Sequence, residues 1–257
     1  MKNIYRFLFG RFLWIQYSKK LKYKGTWRKG LFHGRGKLKY ANGSTYVGDF
    51  FEGAKNGRGH YISPEGYEYL GDWVAGRQTG TAQVNYKNGD LYTGKVKNGL
   101  RNGHGELFQV SSSRNYKGQW ADDTLQSEME IKDPNWTFHG SMEVSSGSGS
   151  GTFNYKDGSK YSGEVMNFKR EGEGTLEFKT GEIISGIWTG NVNVKSASII
   201  DEHGFKWMGN LHNMQPSGYM RTKKPDGIIY DSVWKNGAML QSLSVDISQK
   251  NKNSNLN

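Results

Sequence analysis

The chain has 257 residues, of which 34% are hydrophobic and 36 are Gly, so it is long enough for one or two ordinary domains but poor in the aliphatic mass of a deep core. Because it has no Cys, it can hold neither a disulfide framework nor a thiolate site, which fits a reducing compartment. The net charge of +11 is one-sided: residues 1–101 carry 19 Lys and Arg against 6 acids, and residues 102–257 carry 16 against 18.

Residues 1–22 differ from everything that follows. The run from Ile4 to Tyr17 is dense in aromatics, contains Arg6 and Arg11, and leads into Lys19, Lys20 and Lys22. It is too short and too charged to span a bilayer, and no small-residue cleavage site follows it. Two readings stand side by side. In one, the segment is a short N-terminal helix or cap over the open edge of the first hairpin. In the other, Phe7, Phe9, Phe12 and Trp14 enter a headgroup layer while Arg6, Arg11, Lys19, Lys20, Lys22, Arg28 and Lys29 meet anionic lipid. Each basic residue near such a surface contributes about 1 kcal/mol.

From Tyr23 onward the chain repeats every 23 residues, with Tyr-x-Gly at Tyr23 and Gly25, Tyr46 and Gly48, Tyr69 and Gly71, Tyr92 and Gly94, and again at Tyr161 and Gly163. An aromatic follows two residues past the Gly in several units, as at Trp27 and Trp73, and a Gly and a Gly-x-Gly pair come after it. Alternation puts Tyr23, Gly25 and Trp27 on one face of a short strand. Turn signals separate the strands: Asn98-Gly99 and Asn236-Gly237 after the first strand of a unit, and Asn42-Gly43, Asn88-Gly89, Asp157-Gly158 and Asp226-Gly227 after the second, all of the tight-hairpin kind. Each unit therefore reads as two antiparallel strands that gain stability from their neighbours.

Residues 23–115 keep the frame. Residues 116–237 keep it imperfectly, beginning with a unit at Tyr116 that has Asp123 and Ser127 where glycines are expected, so a bend or wider loop is predicted between Tyr116 and Phe138. The unit at Ile184 has Asn191, Lys195 and Ala197 at glycine positions and should be irregular. Residues 238–257 are polar and read as a disordered tail.

The pattern Tyr-x-Gly-x-Trp, then Gly, then Gly-x-Gly, resembles the membrane occupation and recognition nexus (MORN) repeat. The resemblance implies an all-β fold, an elongated, single-layer, twisted antiparallel sheet of consecutive hairpins, and a non-catalytic role in scaffolding or membrane association. Some members of that family carry an enzyme domain, for which the segments outside the repeats leave no room.

Apparent chemical motifs fall to the same frame. Gly149 and Gly151 in the Gly147–Gly151 run, and the glycines between Gly30 and Lys37, sit where the repeat requires them, so neither stretch reads as a phosphate loop. His33, His60, His104, His139, His203 and His212 occupy different phases of the repeat, and stacking does not line them up as ligands. No catalytic residue, metal or cofactor is expected, and the chain reads as non-enzymatic. Three functions remain open: a scaffold held peripherally on anionic membrane by its basic aromatic end, a purely protein-binding scaffold with residues 1–22 as a cap, and a binder of single-stranded nucleic acid. Open sheet edges would also allow a homodimer. The lack of targeting signals places the expected location in the cytoplasm, at a membrane surface under the first reading.

Overall fold

The computed structural model describes residues 15–18 and 21–244, and these contain strands and turns but no helix. The chain divides into two units at Pro134/Asn135. The first holds β1 (Ile15–Ser18), β2 (Leu21–Arg28), β3 (Leu31–Tyr40), β4 (Thr45–Phe51), β5 (Ala54–Ile62), β6 (Glu68–Val74), β7 (Arg77–Asn85), β8 (Leu91–Lys97), β9 (Leu100–Gln109), β10 (Arg114–Ala121), β11 (Thr124–Leu125) and β12 (Met129–Lys132). The second holds β13 (Trp136–Glu143), β14 (Ser148–Tyr155), β15 (Lys160–Met166), β16 (Lys169–Glu177), β17 (Ile183–Thr189), β18 (Asn193–Ile200), β19 (Lys206–His212), β20 (Gln215–Lys223), β21 (Ile229–Lys235) and β22 (Ala238–Ser244). From β2 to β10 and from β13 to β22 successive strands pair antiparallel, as the hairpin frame requires.

The frame residues have separable roles. Tyr23, Tyr46, Tyr69, Tyr92 and Tyr161 are each 0% exposed, so they form the floor of the core. The rings of Tyr23, Tyr46, Tyr92 and Tyr161 each lie across a cross-strand pair of glycines, as Tyr46 does over Gly48 and its partner Gly59, where an added Cβ would come within 2.5 Å of the ring. Its hydroxyl donates to the carbonyl three residues on, at 3.0 Å for Tyr46 to Asp49 and 2.8 Å for Tyr161 to Glu164, so the buried phenol is satisfied. The first Gly of Gly-x-Gly serves a bulge instead. Past the Gly48↔Gly59 pair, two steps along β4 match four along β5, and Gly57 takes φ +94° there. The Asp49 carboxylate accepts the Arg58 N–H beside that bulge at 3.3 Å.

Neighbouring hairpins lock through the tryptophans. Trp73 meets both Tyr46 and Tyr69 edge to face, each at 5.2 Å, and donates its indole N–H to the Gly59 carbonyl at 3.4 Å. Trp120 and Trp188 repeat this against Tyr92 and Tyr161, donating to Gly105 and Gly174 at 3.0 and 2.9 Å. Such aromatic contacts contribute about 0.5–1.5 kcal/mol each beyond the area they bury.

The structure differs from the sequence reading in three places. The second-strand turns are three-residue loops, not tight two-residue turns: Gly43 N–H donates to Tyr40 at 3.1 Å, Tyr40 N–H to Ser44 at 3.0 Å, and within this loop only Gly43 is left-handed. Asn42 uses its side chain to accept the Ser44 N–H at 3.0 Å, so its role is an Asx turn. Ile15–Ser18, inside the segment read as helix or cap, is a strand that pairs with β2 and covers its edge. Ala238–Ser244, read as the start of the polar tail, completes the last hairpin as β22, since the Asn236-Gly237 turn brings Ala238 opposite Lys235.

The broken unit is irregular in a specific way. Its return strand is split into β11 and β12, both paired with β10; Asp122, Asp123 and Glu128 lie at positive φ, Asp123 where the frame has a glycine. In the unit at Ile184, Ser196 adopts φ +51° and the β18/β19 register shifts between Val194 and Ala197.

Candidate functional site

Because side chains alternate along a strand, the sheet of the first unit has two faces with opposite chemistry. Tyr23 and its partner Leu38 point to the aromatic face, which puts Lys22, Lys24, Lys37 and Lys39 on the other. Lys22 pairs directly with Lys39, and Lys24 with Lys37. Like charges opposed across a strand pair destabilise the sheet, so the fold itself gives no reason for this arrangement. Among the described residues no carboxylate pairs with Lys22, Lys24 or Lys37. The same face continues outward with exposed Val47 and Leu70, at 37% and 44%.

Of the basic and aromatic residues singled out for lipid contact, Lys22 is exposed on β2, Arg28 is exposed at its end, and Lys29 is exposed in the following turn at φ +50°. Arg6, Phe7, Phe9, Arg11, Phe12, Trp14, Lys19 and Lys20 lie outside the described residues. Lys24, Lys37 and Lys39 belong to the same basic run but were not among the residues assigned to lipid contact. The signal was available, since Lys22-x-Lys24 and Lys37-x-Lys39 alternate in adjoining strands, but only the hairpin register shows that the two pairs face each other.

On the aromatic face a second cluster stands beside the buried tyrosine floor. Tyr40, Tyr61, Tyr67 and Tyr86 are half-buried and follow one another with ring centroids 6.4, 6.2 and 6.1 Å apart, inclined by 69°, 56° and 59°. Two hydroxyls are anchored: Tyr61 donates to Ser44 Oγ at 3.1 Å, and Tyr67 to Gln78 Oε1 at 3.2 Å. The Lys55 ammonium lies among these rings, 4.2 Å from the Trp73 centroid, 5.2 Å from Tyr46 and Tyr61, and 5.5 Å from Tyr40. Burial brings the Lys55 pKa down to about 8, and burial, with Tyr61 nearby, pushes the Tyr40 phenol up to about 12.

Two cavities open between these side chains. One of about 260 Å³ is lined by Tyr40, Asn42, Ser44, Lys55, Tyr61, Trp73 and Gln78. The other, of about 550 Å³, lies between Tyr67, Tyr86, Asp90, Arg101 and Leu107. The Tyr67–Gln78 hydrogen bond joins the two. Arg101 occupies the register position of Lys55 two repeats later, with its guanidinium 4.3 Å from the Trp120 ring and its Nε 2.9 Å from Asp123. Arg170 repeats the stacking in the second unit, 4.6 Å from Trp188. A basic residue close behind the first turn of the hairpin was the sequence signal, and the glycine frame concealed it. No group of three or more His, Asp or Glu among the described residues could hold a metal ion.

The model of the MORN repeat matches residues 23–45, 46–66, 92–112 and 161–183. No curated protein matches the chain. Among solved structures, the G-box domain of the microcephaly protein CPAP aligns with a TM-score of 0.44 at 14% identity, over 74% of this chain and 100% of that one. The TCP10c domain of Drosophila melanogaster Sas-4 aligns with a TM-score of 0.34 at 13% identity, over 68% and 92%. The four matched segments carry the tyrosine floor and its glycine pairs, so MORN repeats are present at these four places in the chain.

Proposed function

We propose that the protein is a non-enzymatic repeat scaffold that rests on an anionic membrane through its basic end, on the cytoplasmic side, and holds a protein partner on its aromatic face. MORN repeats support the scaffold. The observation that carries the membrane part is the cluster of Lys22, Lys24, Lys37 and Lys39 on one face of the first hairpin, with exposed Val47 and Leu70 beside it. A sheet face with clustered cations suits an anionic surface, and residues 1–14 would add to it.

Co-sedimentation with vesicles of phosphatidylserine and phosphatidylcholine tests this. The expected result is pelleting that needs the anionic lipid, weakens with salt, and falls by about 30-fold or more in the Lys24→Glu/Lys37→Glu variant, given about 1 kcal/mol per basic residue. Deleting residues 1–14 should weaken it further. Pelleting unchanged by both alterations would remove the membrane from the proposal. Salt-sensitive affinity for a single-stranded oligonucleotide, with none for vesicles, would transfer the basic face to nucleic acid.

A further inference from the structure

The aromatic face of the first unit holds more than its buried floor. Beside Tyr23, Tyr46, Tyr69 and Tyr92 stand Tyr40 and Tyr86, two repeats apart at one phase, and Tyr61 and Tyr67 between them, all four half-buried and reaching two adjoining cavities. Their rings are spaced by 6.1–6.4 Å and inclined to one another by 56–69°, which leaves a notch between each pair. A polyproline II segment, with three residues per turn and a rise of about 3.1 Å per residue, presents a ridge of apolar rings to an aromatic-lined groove.

The pairing of the strands beneath favours this conformation over the other extended one. A partner added as a β-strand needs an unpaired strand edge, and β3, β5 and β7 are paired on both sides beneath this face. A polyproline II segment makes no such demand: it offers ring-shaped prolines to aromatic notches and free carbonyls to nearby donors. Charge narrows the partner further. The Lys55 ammonium reaches the smaller cavity, and no carboxylate among the described residues pairs with it. Arg101, at the wall of the larger cavity, is already held by Asp123.

We infer that the groove of Tyr40, Tyr61, Tyr67 and Tyr86 docks an extended, proline-rich segment of a partner protein, with an acidic side chain of that segment placed over Lys55. This deepens the protein-binding part of the proposed function and rests on it.

Fluorescence polarisation with a labelled peptide of alternating Ala-Pro carrying one central Glu tests it on the full chain. The expected result is saturable binding, weakened at least fivefold in Tyr67→Ala and in Tyr86→Ala. Lys55→Met should weaken the Glu peptide at least fivefold and leave a Gln version of the peptide unchanged. Since this comparison uses one folded variant against two peptides, it holds even where a tyrosine substitution disturbs folding. Equal binding of a peptide with every Pro replaced by Gly, or wild-type affinity in all three variants, would overturn the assignment. So would polarisation blocked by a second copy of the chain, or by residues 1–14 until they are deleted. An amphipathic helical peptide that depends on Tyr67 and Tyr86 where the proline peptide fails would spare the scaffold reading and defeat only this one. Failure of both peptides would strike both.

Discussion

Gly59 shows how one residue type serves the packing of another. A methyl group at Gly59 would lie 2.3 Å from Cε2 and Oη of Tyr46, a ring that is 0% exposed and held by its bond to Asp49. Gly59→Ala should therefore cost about 1–3 kcal/mol through overpacking, read as a lower urea midpoint. Lys55 gives a prediction in pH. Burial holds its pKa at about 8, so the folded protein releases this proton where the unfolded chain, with a lysine near 10.4, keeps it. The contribution of Lys55 to stability accordingly rises as pH goes from about 8 toward 10, and the penalty for its buried charge is present below 8. The ring faces of Trp73 and Tyr61 oppose this by favouring the ammonium. Tyr23 and Tyr40, pushed up to about 12, act in the other direction above pH 10, where unfolded tyrosines ionise first. Denaturant titrations at pH 7 and pH 9.5 should show a larger stability gain on alkalinisation in wild type than in Lys55→Met. Equal gains would mean that the rings cancel the effect of burial.

The hairpin is the element in which local chemistry and repeat geometry conflict. Its first turn places two consecutive residues at positive φ whatever their identity: Glu52 and Gly53 at 47° and 88°, Ala75 and Gly76 at 47° and 81°, Asn98 and Gly99 at 54° and 87°. This is the type I′ turn that suits the strand twist, and Asn tolerates its first position far better than Ala does. Ala75→Asn is expected to raise stability by about 0.5–1 kcal/mol, visible as a higher melting temperature, with no change in the contacts of Trp73. The same turns show what the sequence could reveal. The period, the strand pairs and the buried tyrosines followed from the positions of Tyr and Gly, because those residues are needed at fixed points in every unit. Lys55 could not be found that way, since its environment is supplied by Tyr40 from the preceding hairpin and Trp73 from the following one. The facing lysine pairs were equally hidden: Lys24 meets Lys37 only through a register that bulges between Gly25 and Trp27.

At the scale of the whole molecule, each hairpin touches chiefly its neighbours in sequence, so stability should be distributed locally instead of belonging to the chain as one block. Two features bear on how far a disturbance travels. Within the first unit, Trp73 joins the Tyr46 hairpin to its own, and Tyr67 joins the larger cavity to Gln78, so β4 to β7 share side-chain contacts. In the broken unit the return strand is split between β11 and β12, and the contacts divide into separate units at Pro134. A destabilising change at Gly59 should therefore lower hydrogen-exchange protection across β3 to β6 while leaving β15 to β17 at wild-type rates. Exchange mass spectrometry of the full-length Gly59→Ala variant measures both segments at once. Equal loss in the two would show that the units unfold together, and the broken repeat would then have to transmit stability despite its missing glycines.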